Sequence, residues 1–161
     1  MITLLRVDDR LIHGQVAVYW VTATGASTIV VASDKYAENS VLKMSLNVGK
    51  PAGVKMPVLT IAKAVEYLND PKNAKKKIFV VTGSCADALA LCKGVNEITA
   101  VDLGGIRHSE GRVSVSQQVH LLQEDMDAIE EMASMGKDVY VQEVPSKSKM
   151  ALSEIRSNFS K

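Results

Sequence analysis

A chain of 161 residues fits one domain and is long enough to bury a real core. Its 47% hydrophobic and 23% charged residues are ordinary globular proportions, which excludes a disordered or fibrous protein. A formal net charge of +1 lacks the footprint of a protein that grips nucleic-acid phosphates, so no nucleic acid is expected as a partner.

No apolar run approaches the length of a bilayer span, and no basic region precedes a cleavable apolar stretch. A cytoplasmic protein is expected. Cys85 and Cys92 match neither a CxxC pair nor a metal-ligand set and are read as reduced thiols.

Ile2 to Val7 is apolar and β-prone and stops at the polar cluster Asp8-Asp9-Arg10. After His13-Gly14, Val16, Tyr19, Trp20 and Ala23 recur at i, i+3, i+4 and i+7, which predicts a helix with these residues on its packed face, ended by Gly25. The alternation continues with a strand over Thr28 to Ala32, a helix around Ser40 to Asn47 and a strand over Val54 to Leu59. A helix over Ile61 to Leu68, a strand over Lys77 to Val81, a helix over Ala86 to Cys92 and a strand over Ile98 to Leu103 follow.

Continuous apolar runs such as Ile78-Phe79-Val80-Val81 suit strands covered on both faces. The expected fold is therefore α/β and doubly wound, a mostly parallel central sheet with helices on both faces. Residues 104–112 read as a loop, Val113 to Leu121 as a short β-prone stretch, and Gln123 to Met135 as a last helix. Asp138 to Val144 alternates as an edge strand does, and residues 146–161 read as a polar segment that frays. No repeat or boundary divides residues 1–161.

In open α/β sheets, ligands collect at the carboxyl ends of the strands. Four segments are expected there: Asp8 to Gln15, Ser33-Asp34, Thr82-Gly83-Ser84, and Asp102 to Gly105. Only the first carries a histidine. His13 precedes a helix, so oriented N–H groups and the positive end of the helix dipole favour an anion on its ring. Arg10 can clasp two phosphoryl oxygens with its fork of donors. A neutral imidazole is a competent nucleophile near pH 7, and no metal or cofactor is called for. Asp8 or Asp9 orients the second ring nitrogen or holds Arg10, and the sequence does not distinguish them.

The run Arg6-Val7-Asp8-Asp9-Arg10-Leu11-Ile12-His13-Gly14-Gln15-Val16 closely resembles the phosphorylation-site signature of IIB components of the mannose/fructose/sorbose family of bacterial sugar phosphotransferase systems. Thr82-Gly83-Ser84, Leu103-Gly104-Gly105, His108 to Gly111 and Gln142 to Pro145 lie in the order that the resemblance requires. It implies an α/β sheet with an antiparallel edge and a phosphohistidine at His13, on Nδ1. Arg10 becomes the phosphate-binding arginine, with Asp8 and Asp9 beside the ring and Gly14, Gln15, Thr82, Gly83 and Ser84 as phosphate contacts.

The resemblance also implies the partners. A IIA component donates the phosphoryl group, membrane components IIC and IID present the sugar that receives it, and the protein sits peripherally at the inner face of the membrane. A homodimer is a family analogy only. Asp102 departs from the family pattern, in which asparagine is common, and Ser146-Lys147 replaces a frequent Gly-Asp.

Plainer readings stand beside these. Ser84 serves equally as a helix N-cap. Cys85, near a helix start, is a rival phosphate carrier. His108 and His120 are bystanders, and Trp20 and Tyr19 serve packing. The competing function is a non-enzymatic module that binds a nucleotide or sugar phosphate at the same strand ends.

Overall fold

The computed structural model describes all 161 residues. In chain order its strands are β1 (Ile2–Asp8), β2 (Thr28–Ala32), β3 (Val58–Leu59), β4 (Ile78–Thr82), β5 (Ala100–Gly105), β6 (Val113–Ser114), β7 (His120–Leu121) and β8 (Asp138–Val141). The helices are α1 (Val16–Thr24), α2 (Asp34–Ala37), α3 (Ser40–Ser45), α4 (Ile61–Asn69), α5 (Cys85–Gly94), α6 (Gln123–Ser134) and α7 (Leu152–Phe159).

Six strands form one sheet in the order β3-β2-β4-β1-β5-β8, and every pairing in it is parallel. Strands β2 and β4 are buried at all five positions, as expected of parallel strands covered on both faces. Antiparallel pairing is confined to the separate ribbon β6-β7 and to a single bridge, Val141 to Met150, along the edge strand β8.

Alternation along the strands divides the core in two. One face packs Leu5, Val7, Val80, Val101 and Leu103 beneath α4, α5, α6 and α7, in a cluster of 27 buried residues. The other face packs Leu4, Ile29, Val31, Phe79 and Val81 beneath α1 and the turn at Leu46–Gly49, in a cluster of 14. The two-sided covering that the apolar runs predict is present, and the second layer is the thinner one.

Four local expectations change. The Val54 to Leu59 strand shrinks to Val58–Leu59 plus a bridge from Lys55 to Thr28, because Pro57 has no N–H to offer a ladder. The packed face of α1 is Ala17 and Trp20, whereas Tyr19 is 51% exposed and lines an open groove with Ala23 and Pro145. The C-terminal segment does not fray: Ile155 is fully buried and Arg156 pairs with Glu130 of α6 at 2.7 Å. Helix α6 is accordingly not the last.

Candidate active site

The chain leaves β1 between β4 and β5, whose following connections carry the chain toward β8, whereas the connection from β1 runs to β2. That reversal opens a crevice at the carboxyl end of β1. The loop Asp9 to Gln15 occupies it. Its backbone turns at Leu11, where the amide donates to the Asp8 carbonyl at 2.9 Å and φ is 58°, and again at Gly14, with φ 51°. A left-handed leucine costs about 1 kcal/mol or more, which burial of its side chain to 5% exposure offsets. A β-carbon at Gly83 would lie 3.7 Å from Leu11 Cδ2, so the β4–α5 loop packs against this turn.

His13 is seated by Asp8. Its Nε2 lies 2.8 Å from Asp8 Oδ2, while the other carboxylate oxygen accepts the Arg10 amide at 3.0 Å. Asp8 is 1% exposed and His13 20%, so the carboxylate is fixed at the floor and the ring reaches the surface. With Nε2 turned inward, Nδ1 is the nitrogen left facing outward. Asp8 therefore resolves the choice that the sequence leaves open.

Asp9 takes a different part. Its Oδ2 accepts the Arg107 amide at 2.9 Å and Arg107 Nε at 3.2 Å, and its own amide donates to Gly105 O. It staples the loop after β5 to the loop after β1 and does not touch His13. Arg10 is exposed, and its guanidinium has no hydrogen-bonded or ionic partner in the fold. Helix α1 opens at Val16, after Gly14 and Gln15, with neither a side-chain cap nor an acidic residue in its first turn. Its first N–H groups are thus not claimed by a side chain.

The Thr82-Gly83-Ser84 segment lies at the carboxyl end of β4, and both of its hydroxyls are engaged within the fold. Thr82 is fully buried, and its hydroxyl donates to Ala32 O at 2.8 Å, so it is occupied inside the sheet and unavailable to a phosphate. Ser84 is the N-cap of α5, accepting the Asp87 amide at 3.1 Å. Gly83 supplies closeness to Leu11 and no donor side chain. Cys85 is fully buried, and burial pushes its thiol up to about 12, which removes the thiolate that a phosphate carrier needs. His108 and His120 meet edge to face at 5.3 Å, and His120 Nδ1 lies 2.6 Å from Ser114 Oγ.

Beneath the loop lies a buried charged row, of which the expected site includes Asp8 and the Asp102 to Gly105 segment but neither Arg6 nor the pairing. Parallel register sets Arg6 beside Asp102, and Asp102 beside Tyr140. Arg6 Nη1 donates to Asp102 Oδ2 at 2.7 Å and to Gln142 O at 2.9 Å, and Nη2 reaches Asp8 Oδ2 at 3.4 Å. Asp102 Oδ1 accepts the Gln142 amide at 2.8 Å. The guanidinium lies 5.5 Å from the Trp20 ring centroid, and Arg6 Nε is buried without a partner. A β-carbon on Gly104 would fall 2.0 Å from Arg6 Cζ, so glycine there makes the space for the guanidinium. Burial pushes the Asp102 carboxyl up to about 7 against the opposing pull of Arg6. The signal was available: two charges of opposite sign, Arg6 and Asp102, each inside a run otherwise fit for a buried strand.

Comparison with known proteins supplies the family. Residues 2–160 match the profile of the phosphotransferase system sorbose subfamily IIB component. A probable phosphotransferase enzyme IIB component of Streptococcus pyogenes is 37% identical over 161 residues, covering 96% of this chain and 99% of that protein. The mannose-specific EIIAB component of Escherichia coli is 33% identical over the whole chain, which spans 50% of that longer protein. The crystal structure of the IIB domain of the sorbose permease of Klebsiella pneumoniae superposes with a TM-score of 0.92 at 28% identity, covering 98% of this chain and 97% of that one. The chain belongs to the sorbose subfamily of phosphotransferase-system IIB components, within the mannose/fructose/sorbose family, and its role lies in sugar phosphotransfer.

Proposed function

We propose that His13 accepts a phosphoryl group at Nδ1 from a phosphohistidine of a IIA component and passes it to a sugar held by membrane components IIC and IID. The observation that carries this is the seating of Nε2 on Asp8, which leaves Nδ1 facing outward, in a loop that also carries an exposed and unpartnered Arg10. Asp8 holds a proton on Nε2 and keeps the lone pair on Nδ1. That lone pair attacks phosphorus, the bond from phosphorus to the donor imidazole breaks, and its electron pair returns to the donor nitrogen. Positive charge grows on the His13 ring as the bond forms and is met by the Asp8 carboxylate. Arg10 binds the equatorial oxygens, and the first turn of α1, with Gly14 and Gln15 leading into it, offers backbone donors. The second transfer repeats the step with a sugar hydroxyl as nucleophile, whose proton leaves as the N–P bond breaks.

In this reading the protein works at the inner face of the membrane, held there by IIC and IID. No helix of this chain is long and apolar enough to cross a membrane. Incubation with phosphoenolpyruvate, the general phosphotransferase proteins and a IIA component should add one acid-labile phosphoryl group, absent in His13→Ala. Retention of the label in His13→Ala would reject the proposal, and reversible binding of a sugar phosphate with no gain in mass would favour a binding module.

A further inference from the structure

The single guanidinium of Arg6 faces two buried carboxylates, Asp8 at 3.4 Å and Asp102 at 2.7 Å. Asp102 holds the shorter contact, and its other oxygen is anchored by the Gln142 amide. Asp8 has the longer contact and divides its remaining capacity between the Arg10 amide and His13. Whatever share of the Arg6 charge Asp102 neutralises is charge that Asp8 need not answer, and the Asp8 carboxylate is then more fully available to the imidazole. All three side chains are at most 3% exposed, so water does little to screen the competition.

We propose that Asp102 and Arg6 are positioning residues that set, through Asp8, how strongly the His13 ring is held and how basic it is. The inference rests on His13 being the phosphoryl acceptor. Asp102 draws Arg6 away from Asp8, and a charged Asp102 therefore speeds acceptance at Nδ1 and slows loss of the phosphoryl group to water, because a ring backed by a stronger base is the better nucleophile and the poorer leaving group. The charged and titratable groups that face Asp102 are Arg6 and Asp8 of β1 and Tyr140 of β8, and α1 contributes only the uncharged Trp20 ring over Arg6. Of these, Arg6 alone is a cation, so it is the group through which a change at Asp102 reaches Asp8.

The test uses the full chain with its phosphoryl donors and two variants. Asp102→Asn keeps the shape and removes the charge. It should accept phosphate about threefold more slowly at pH 8 and should converge on the wild type toward pH 5.5, where Asp102 itself takes a proton. Its phosphohistidine should hydrolyse faster. Arg6→Met, with Asp8 freed from its cation, should instead hydrolyse more slowly than the wild type.

Rates in a folded Asp102→Asn that equal the wild type, or that fall by one factor at every pH, would reduce Asp102 to a structural part and overturn the inference. So would a shift of hydrolysis in the same direction in both variants. If Arg6→Met does not fold, the pH dependence of Asp102→Asn decides alone. A wild-type protein that carries no phosphate on His13 is a separate outcome, since it defeats the proposed function and not merely this coupling.

Discussion

The two faces of the sheet are built from the same strands and differ in what their alternate residues do. Beneath α4, α5, α6 and α7, the face is apolar but for the uncharged Thr28 and Thr82, with Leu5, Val7, Val101, Leu103, Leu91 and Ile129 all fully buried. Beneath α1, the positions facing the other way include Arg6 and Asp102, joined at the end of β1 by Asp8. The first face supplies most of the burial that drives folding. The second gives up part of that gain to hold charges in fixed places, since a buried ion pair is seldom more stabilising than the apolar residues it replaces. A parallel sheet can thus assign stability to one layer and chemistry to the other.

The sharpest way to break this division is Gly104→Ala, which drives a β-carbon into the Arg6 guanidinium. It should cost about 4 kcal/mol, the upper range for overpacking joined to a disturbed buried network, and slow phosphoryl transfer as well. Thermal unfolding and transfer rates measured on one preparation would show both. Leu91→Ala on the apolar face should cost about 3 kcal/mol yet leave the transfer rate per folded molecule unchanged. A large rate loss there would mean that the two layers are not separable.

The charged layer should also have its own dependence on pH. The folded state keeps a proton on Asp102 up to about pH 7, and the unfolded chain releases it near 4. Between those limits the folded state binds more protons than the unfolded one, so this group contributes a stability that is full below pH 4 and lost as pH rises to 7. The denaturant midpoint of Asp102→Asn, compared with the wild type across that window, should lack this decline.

Smaller effects refine the site itself. Arg10→Lys should slow transfer about tenfold without moving the melting temperature, because charge survives and the two-pronged grip does not. Ser84→Ala should lower stability by about 1 kcal/mol through loss of the α5 cap and leave transfer alone. An altered transfer rate in that variant would restore Ser84 as a phosphate contact.

The features legible in the sequence were those written locally. Apolar runs and glycine-marked turns located β2, β4 and α5 within a residue or two, and the Arg10 to Gly14 spacing located the loop. What escaped depended on partners distant along the chain. Arg6 meets Asp102 only because β1 and β5 align in register across a separation of 96 residues, and no local pattern records that alignment. Thr82 looked free because its acceptor, Ala32 O, belongs to another strand. The C-terminal segment looked loose because its polar composition hides one fully buried Ile155 and an ion pair to Glu130, and a short helix gains most of its stability from such docking.

The left-handed turn at Leu11 bears on the tempo of any relay through His13. A leucine held in so disfavoured a backbone shape, with its side chain wedged beside Gly83, leaves the loop few alternative poses to visit. A visiting protein meets a surface already cast in its final form and need not wait for it to set. On the proposed relay, rearrangement at this end would add little to the time each transfer takes.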